Sequence, residues 1–393
     1  MSKKCGRAYT IFLSAAEPSA DAHCAALITA LHKESFGRRQ SGCDIEFIGV
    51  GGPQMNAAGC KLLEDTVGKA TMIYKVFGQL GRYYKLIKRI TGFLKSNKPD
   101  LVIVCDSPAF NFHIAKAAKK AGIKTLFYVA PQLWAWAGWR IRKLRKYCDK
   151  LCCILPFEQD WFRQKGVDTL FVGNPLLDEL NHSLAHYRKE YSDFEPKNAV
   201  IALMPGSRAA EIDSLWRPMQ TIAVRLKQKY SGASFTTVAL DAEKQQVLKA
   251  AEIHGFSCAY TVGSISDAAG KADLAIVASG SATLQVAAAG CPMVIMYQSS
   301  RILWHLIGRW LLKTKYLSLV NILAERDLVP EFMPYFASVE PIVESIEQLL
   351  EDKDKLTKLS AQLIKLAEPL AKEKACEQVA EIAIEMLTNG RPP

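Results

Sequence analysis

Short apolar runs alternate with longer segments of helical periodicity along most of this chain. In the first half, the apolar runs predict strands at residues 9–14, 45–50, 101–105, 125–129 and 151–155. Helical patterns between them predict helices at residues 19–32, 81–97 and 114–121. This alternation is typical of βαβ units, in which successive strands run parallel. The first half is therefore predicted to be a Rossmann-like domain.

The same alternation restarts after a more polar segment near residues 177–198. Apolar runs there predict strands at residues 199–204, 234–239, 257–260, 274–278 and 293–297. A helix is expected at residues 213–230, and further helices from 340 to 387 close the chain. We therefore predict an α/β fold with two Rossmann-like domains, whose parallel sheets face a central cleft where ligands commonly bind. The predicted boundaries are 1–180, a linker at 181–198, 199–365 and a last segment at 366–393.

Length and composition fit a two-domain protein of the cytoplasm. The chain has 393 residues, of which 49% are hydrophobic and 23% charged, so two cores are more plausible than one. Its 11 cysteines show no metal-ligand spacing and suit a reducing compartment. No apolar segment reaches the ~18 residues that a spanning helix needs. We expect a cytoplasmic protein that is peripheral to the membrane at most.

The net charge of +11 points to an anionic partner, with an ordinary basic surface as the alternative. Nucleic acid, a membrane surface and phosphorylated substrates are the three candidates. The chain contains no helix-turn-helix, zinc-finger, RNP or KH signature, and its basic residues are spread among α/β elements. We therefore expect no nucleic-acid partner.

Polar residues directly after the strand at 101–105 are the first candidates for chemistry. Asp106, Ser107 and Asn111 follow its end. In an open α/β sheet, groups just past the carboxyl ends of strands face the ligand crevice. Asp106 is therefore a candidate general base, and Asn111 is a candidate substrate contact.

The first strand is followed by SAAEPSADAH, where Ser19 is a candidate substrate contact at the start of a helix, or simply the cap of that helix. Helix amide groups at that end favour an anion or sugar hydroxyls. Glu17 and Asp21 are either further contacts or carboxylates that complement the helix dipole. The later turn GVGGPQM lacks the GxGxxG spacing of a dinucleotide site.

The second half offers two turns for a pyrophosphate group. In MPGSRAAEI, backbone N–H groups of Gly206 and Ser207 and the guanidinium of Arg208 are candidate phosphate ligands, or Arg208 is a surface residue at a helix start. The second turn, SGSATLQ, adds candidate substrate contacts at Ser279, Gly280, Ser281 and Gln285. Gln285 lies one turn into the helix, where it could bond ribose hydroxyls.

Two basic, aromatic segments, at residues 72–94 and 301–316, are candidates for contact with a membrane surface. The alternative for each is a helix that packs on the core and exposes its basic face to solvent.

Taken in order, these motifs resemble the lipid-A-disaccharide synthase family, inverting glycosyltransferases of GT-B architecture. The resemblance spans nearly the whole chain and is carried by AAEPSAD, CDSPAFN, PQLWAWAGWR, LPFE, VGNPL, MPGSR, SGSATLQ and SLVNILAERDLVPE. It implies condensation of UDP-2,3-diacylglucosamine with 2,3-diacylglucosamine 1-phosphate at the inner face of the cytoplasmic membrane. The products would be the lipid A disaccharide 1-phosphate and UDP.

The resemblance also implies roles for single residues. Asp106 matches the general base, Arg208 the donor-phosphate ligand, and Glu17, Asn321 and Glu331 match further positions of the active site. No cofactor is expected, because the UDP-sugar is itself a substrate. No metal is expected, because arginine and helix termini could stabilise the leaving UDP and the sequence contains no convincing metal cluster. A homodimer is expected, with residues 366–393 returning to the first domain or to a partner subunit.

The chain departs from the family's usual motifs at Ala16, Ala20, Asn174, Gln285 and Pro334. Because none of these replaces Asp106 or Arg208, an active enzyme is favoured. A related GT-B enzyme or UDP-sugar epimerase with another substrate is one alternative. The other is a catalytically degenerate, membrane-peripheral protein that binds nucleotide sugars or lipids.

Overall fold

A computed structural model gives the fold and describes residues 9–37, 44–67, 80–178, 184–300 and 314–388. The chain divides into two compact units. Unit 1 comprises Met1–Asp178 with Glu373–Pro393, and unit 2 comprises Glu179–Lys372. Each unit contains one parallel sheet with helices against it, which confirms the predicted α/β class.

The sheet of unit 1 has seven parallel strands in the order β3-β2-β1-β4-β5-β6-β7. Their bounds are Tyr9–Ser14, Ile45–Gly51, Lys61–Asp65, Leu101–Cys105, Lys124–Tyr128, Lys150–Cys153 and Thr169–Phe171 for β1 to β7. Because the strand order reverses between β1 and β4, the turns after these two strands flank the switch point. In open α/β sheets, ligands bind at such a point.

Helices cover both faces of this sheet. They are α1 Pro18–Gly37, α2 Pro53–Ala57, α3 Leu80–Asn97, α4 Pro108–Lys120, α5 Ile141–Tyr147, α6 Pro156–Arg163 and, at the end of the chain, α14 Ala375–Thr388. Along β1, Ile11 and Leu13 pack with α1 and α14, whereas Phe12 packs on the opposite side with α3 and α4. This alternation follows from the two-residue period of a strand, and it explains why consecutive apolar residues occur in a strand that is covered on both faces.

The sheet of unit 2 repeats this arrangement with six parallel strands in the order β10-β9-β8-β11-β12-β13. Their bounds are Val200–Met204, Ser234–Ala239, Ala259–Val262, Leu274–Ala278, Met293–Met296 and Glu331–Phe332 for β8 to β13. The helices are α7 Ala209–Lys229, α8 Ala242–Ala250, α9 Ile265–Lys271, α10 Ala282–Ala288, α11 Leu319–Ala324, α12 Glu340–Leu350 and α13 Lys353–Ala371. Here the switch point lies between β8 and β11.

The last helix of the chain belongs to unit 1. The carboxylate of Asp178 accepts hydrogen bonds from the backbone N–H groups of Ala375 (2.9 Å) and Cys376 (3.0 Å), at the start of α14. This cap ties the point where the chain leaves unit 1 to the point where it returns. From there α14 packs against α1 of the same chain.

Two predicted boundaries differ from the observed division. The chain returns to unit 1 at residue 373 instead of 366, because α13 continues to Ala371 within unit 2. The described part of the predicted linker, from residue 184, is packed into unit 2. There the buried Tyr191 donates to the carbonyl of Asp273 (2.8 Å). Lys189 Nζ donates to carbonyls at the end of α9, at Ala269 and Gly270, and to the carbonyl of Ala272, which follows the helix.

The candidate membrane segments are only partly described. Residues 72–79 and 301–313 lie outside the described residues, and the rest of the first segment forms most of α3. Within the described ranges, no helix combines the length and the apolarity that crossing a bilayer requires.

Candidate functional site

The turn after β4 places Asp106 at the switch point of unit 1. Asp106 and Ser107 both adopt left-handed backbone conformations, with φ of 49° and 42°. For residues with a Cβ, this conformation costs roughly 1–2 kcal/mol each, although Asp tolerates it better than most. The helix α4 begins immediately afterwards at Pro108, whose fixed φ suits the first helical position. The half-buried Asp106 therefore lies on a sharp and strained strand-to-helix turn.

The buried amide of Asn111 supports this turn. Its Nδ2 donates to the carbonyls of Cys105 (2.8 Å) and Asp106 (2.7 Å), and its Oδ1 accepts from Ser14 Oγ (2.7 Å). Ser14 ends β1, so one side chain joins the ends of the two strands at the switch point. The sequence did not single out Ser14.

Asn111 therefore has a different role from the predicted one. It is fully buried, and both of its amide hydrogens and its carbonyl oxygen are occupied by the protein. It positions Asp106 and is not available as a substrate contact.

A second carboxylate lies beside this turn. Glu17, in the turn after β1, accepts a hydrogen bond from Ser107 Oγ (3.3 Å) through Oε1. Its carbonyl also accepts the first bond of α1, from Asp21 N–H (3.0 Å), so Glu17 occupies the helix-capping position that was predicted for Ser19. Ser19 is exposed in the first turn of α1. The structure thus groups Glu17, Ser107 and Asp106 at one edge of the sheet.

Asp21 also differs from its predicted role. It is buried, and its carboxylate accepts from the backbone N–H groups of Gly52 (2.8 Å), Gln54 (3.1 Å) and Met55 (3.1 Å). A Cβ on Gly52 would lie 2.5 Å from Asp21 Oδ2, so the glycine is needed for this approach. Asp21 therefore caps the start of α2, and the glycine-rich turn allows its carboxylate to approach the backbone there.

The loop after β5 is fixed by a buried carboxylate, Glu158 of the LPFE motif. Glu158 accepts from Trp134 Nε1 (2.8 Å) and from Leu155 N–H (3.1 Å). Burial raises the pKa of Glu158 to about 7, although these hydrogen bonds oppose the shift. Trp134 also packs edge-on against Phe157. Glu158 was not among the predicted site residues, and the LPFE motif was its only signal in the sequence.

In unit 2, the turn after β8 is organised by Glu211. Its Oε2 accepts from the backbone N–H groups of Ser207 (3.0 Å) and Arg208 (3.2 Å), and its Oε1 accepts from Arg208 Nη1 (2.9 Å). Gly206 has φ of 102°, and a Cβ there would lie 2.5 Å from Glu211 Oε2. Two of the donors that were predicted to bind phosphate, the Ser207 N–H and the Arg208 guanidinium, therefore hold a carboxylate of the chain itself. Gly206 is required by the approach of Glu211.

The turn after β11 lies on the other side of the switch point. Gly280 and Ser281 are exposed, Ser279 and Gln285 are half-buried, and a Cβ on Gly280 would meet nothing within 4 Å. Thr283 is buried and donates to the carbonyl of Gly280 (2.7 Å). These positions are open to a ligand, in contrast to the turn after β8.

Asn321 and Glu331, which were predicted as substrate contacts, are joined in a hydrogen-bond network within unit 2. Asn321 is fully buried, accepts from the N–H groups of Leu328 (2.9 Å) and Val329 (3.0 Å), and donates to Glu331 (3.0 Å). Glu331 also accepts from the backbone N–H groups of Leu317 and Ser318, both at 3.1 Å. The pair therefore fixes the segment between α11 and β13.

Within the described part of the chain, no group of three or more His, Cys, Asp and Glu side chains is arranged to hold a metal ion.

Three solved structures share this two-sheet architecture. The UDP-GlcNAc 2-epimerase from Neisseria meningitidis bound to UDP-GlcNAc aligns with a TM-score of 0.58 at 13% identity, covering 98% of this chain and 100% of that one. The S. aureus MnaA-UDP co-structure gives 0.61 at 13%, covering 98% and 99%. The spinosyn rhamnosyltransferase SpnG gives 0.55 at 10%, covering 95% and 100%. At these identities the likeness shows the fold, which is that of GT-B glycosyltransferases and epimerases.

Sequence comparison adds the family. The family model described as Lipid-A-disaccharide synthetase matches residues 11–386. A lipid-A-disaccharide synthase from Myxococcus xanthus is 31% identical over 384 residues, covering 97% of this chain and 98% of its own. Another, from Geobacter metallireducens, is 32% identical over 387 residues, covering 97% and 98%. The chain belongs to the lipid-A-disaccharide synthetase family and is a glycosyltransferase, as its motifs predicted.

Replacing Asn111 with alanine should destabilise unit 1 by about 3 kcal/mol, because it leaves the buried Cys105 carbonyl, the half-buried Asp106 carbonyl and the buried Ser14 Oγ without this partner. Thermal and urea denaturation would measure the loss. Asn97→Ala is the matched control, because Asn97 is exposed and bonds only its own helix at Phe93. Equal stability of the two variants would show that Asn111 does not support the turn.

Glu158→Gln should remove one pH-dependent component of stability. Because the pKa of Glu158 rises from 4.5 in the unfolded chain to about 7 on folding, it favours the folded state most below pH 4.5. This contribution, about 3 kcal/mol, is lost as the pH rises through 7. Urea denaturation from pH 4.5 to 8 should therefore show a fall in wild-type stability that the glutamine variant lacks. Parallel pH profiles would contradict the raised pKa.

Proposed function

We propose that this glycosyltransferase transfers the acylated glucosaminyl group of UDP-2,3-diacylglucosamine to 2,3-diacylglucosamine 1-phosphate. The products are the lipid A disaccharide 1-phosphate and UDP. Family membership supports a lipid A disaccharide as the product, and these substrates fit it. The observation that carries the proposal is Asp106, a carboxylate on a strained turn at the switch point of unit 1.

In the proposed reaction, the acceptor hydroxyl oxygen attacks the anomeric carbon of the donor and the bond from that carbon to the UDP oxygen breaks. Asp106 takes the proton of the hydroxyl, and UDP leaves with the electron pair, so a single displacement inverts the anomeric centre. Glu17, which is tied to the same turn through Ser107, is proposed to orient the acceptor.

Arg208 is proposed to stabilise the negative charge that develops on UDP. Its guanidinium is largely exposed and bonds Glu211, so a phosphate would share or replace that carboxylate. We propose that Ser279, Gly280 and Ser281 contribute donors to the same diphosphate and that Gln285 bonds the ribose. The proposal includes no cofactor, because arginine and backbone N–H groups supply the charge stabilisation.

Two further parts of the proposal concern where and how the chain works. Because both proposed substrates carry acyl chains, we propose that it acts peripherally at the inner face of the cytoplasmic membrane. From the family resemblance, we also propose that two copies of the chain form a homodimer.

Asp106→Asn tests the proposed base. Asparagine has the same shape and also tolerates left-handed backbone conformations, so the turn should survive. Disaccharide formation from the two acylated substrates should fall by roughly 10²–10⁴-fold. Asp160→Asn, on the exposed side of α6, is the matched control and should turn over normally.

Undiminished turnover by Asp106→Asn would contradict the role of the base. If the wild-type chain converts water-soluble UDP-sugars but not the acylated pair, the proposed substrates are wrong.

A further inference from the structure

Positive charge is concentrated in one part of the chain. Residues 66–148 contain 17 Lys and Arg against two acidic residues, Asp100 and Asp106. This segment therefore carries +15, more than the +11 of the whole chain, and the remaining residues sum to −4. A basic surface that arose from general composition would be spread more evenly.

Of these 17 basic residues, 12 lie on one helical layer, formed by α3, α4 and α5. The three helices contact one another in that order and pack on the same face of the sheet through Ile90, Ile114 and Leu144. Together they contain 12 Lys and Arg and no Asp or Glu. The basic side chains recorded as exposed are Lys85, Lys88, Arg89, Lys95, Lys116, Lys119, Lys120, Arg142, Lys143, Arg145 and Lys146.

Acidic groups from neighbouring elements neutralise only part of this layer. Glu64 of β3 pairs with Arg89 (3.0 Å), and Asp149 pairs with Lys119 (2.7 Å). On the opposite face of the sheet, α14 contains three glutamates and no Lys or Arg. The α3–α4–α5 layer and α14, on opposite faces of the sheet, therefore carry opposite charge.

Aromatic side chains accompany the basic layer. Tyr84, Trp136 and Trp139 are 69%, 42% and 66% exposed, and they are the only exposed aromatic residues among the large exposed hydrophobics of the described chain. The Arg140 guanidinium lies 5.2 Å from the ring centroids of both Trp136 and Trp139. Exposed tryptophan next to arginine suits a boundary between water and lipid, because the ring enters the headgroup region while the cation meets phosphate.

These aromatic residues also lie at the edge of the sheet that carries Asp106. Trp136 and Trp139 follow the carboxyl end of β5, which pairs with β4. Tyr84 is in the first turns of α3, where its neighbour Tyr83 donates to the carbonyl of Ala109 (3.0 Å) at the start of α4.

We propose that the α3–α4–α5 layer, with Tyr84, Trp136 and Trp139, docks unit 1 on an anionic lipid bilayer. This layer would be the surface for the peripheral membrane association proposed above, and the inference rests on that proposed function. Docking there would deliver an acylated acceptor near Asp106. Basic residues attract the acidic headgroups, and the aromatic rings anchor the edge. A nucleic acid would use the same charge, but phosphate contacts alone do not account for the paired tryptophans.

The test is sedimentation of the full chain with phosphatidylcholine vesicles that contain or lack phosphatidylglycerol. The wild-type chain should bind the anionic vesicles, and added salt should release it. Arg142→Glu combined with Lys146→Glu should weaken partitioning at least about 25-fold, from about fivefold for each positive charge removed. Trp139→Ala should weaken it at unchanged charge.

The matched control is Lys358→Glu with Lys365→Glu, an equal charge change at exposed positions of α13 in unit 2. It should bind vesicles nearly as the wild-type chain does. Equal weakening by the control, full binding by the α5 variant, equal binding to neutral vesicles, or binding of single-stranded RNA without any binding to anionic vesicles would each overturn the proposal.

Disaccharide synthesis from detergent-dispersed substrates separates this inference from the proposed function. If vesicle binding depends on the layer but no disaccharide forms in detergent, docking is supported and the proposed reaction is wrong. Synthesis in detergent without binding to anionic vesicles would overturn docking alone.

Discussion

The buried amide of Asn111 is the constraint on which the turn that carries Asp106, the proposed base, depends. Two successive left-handed residues, Asp106 and Ser107, would not persist in an isolated chain. Asn111 stabilises them by bonding the carbonyls of Cys105 and Asp106, and it fixes their position relative to β1 through Ser14. Each of these bonds is individually modest, but a buried group left without its partner is costly. The strained turn therefore fixes the position of the Asp106 carboxylate, and the bonds of Asn111 keep the turn folded.

The two units share one topology but place side chains of opposite charge at their switch points. In both sheets the strand order reverses beside the first strand, so two turns flank each switch point. In unit 1 these turns present Glu17 and Asp106, which suit proton uptake from an acceptor. In unit 2 they present Arg208 and a turn of serine and glycine, which suit a diphosphate. This division corresponds to the two charges that must be handled when a hydroxyl displaces UDP.

Sequence periodicity predicted the fold well because parallel strands buried on both faces are nearly continuous apolar runs. The bounds of β1, β4, β9 and β11 matched those predicted. Strand-end position likewise led to Asp106. What the sequence could not show is where a short polar side chain points. Asn111, Asp21 and Asn321 have the residue types of ligand contacts, yet each bonds the backbone of its own unit.

The basic distribution shows a similar limit. Net charge predicted an anionic partner but not that the basic residues would gather on one layer, because that depends on which helices share a face of the sheet. The polar linker was predicted as a connection for a comparable reason. Tyr191 and Lys189 of this segment pack into unit 2 and cap α9. Single contacts of this kind produce no periodic pattern of hydrophobic residues in the sequence.

The central claim is that unit 2 binds the nucleotide while unit 1 supplies the base. The affinity for UDP, measured by calorimetry on the wild-type chain, Arg208→Gln and Asp106→Asn, tests it most directly. If unit 2 holds the nucleotide through Arg208, then Arg208→Gln should lose about tenfold or more in affinity, the value of one charge-assisted hydrogen bond. Asp106→Asn should bind UDP as the wild-type chain does. Wild-type affinity in Arg208→Gln, or a matching loss in Asp106→Asn, would contradict the account.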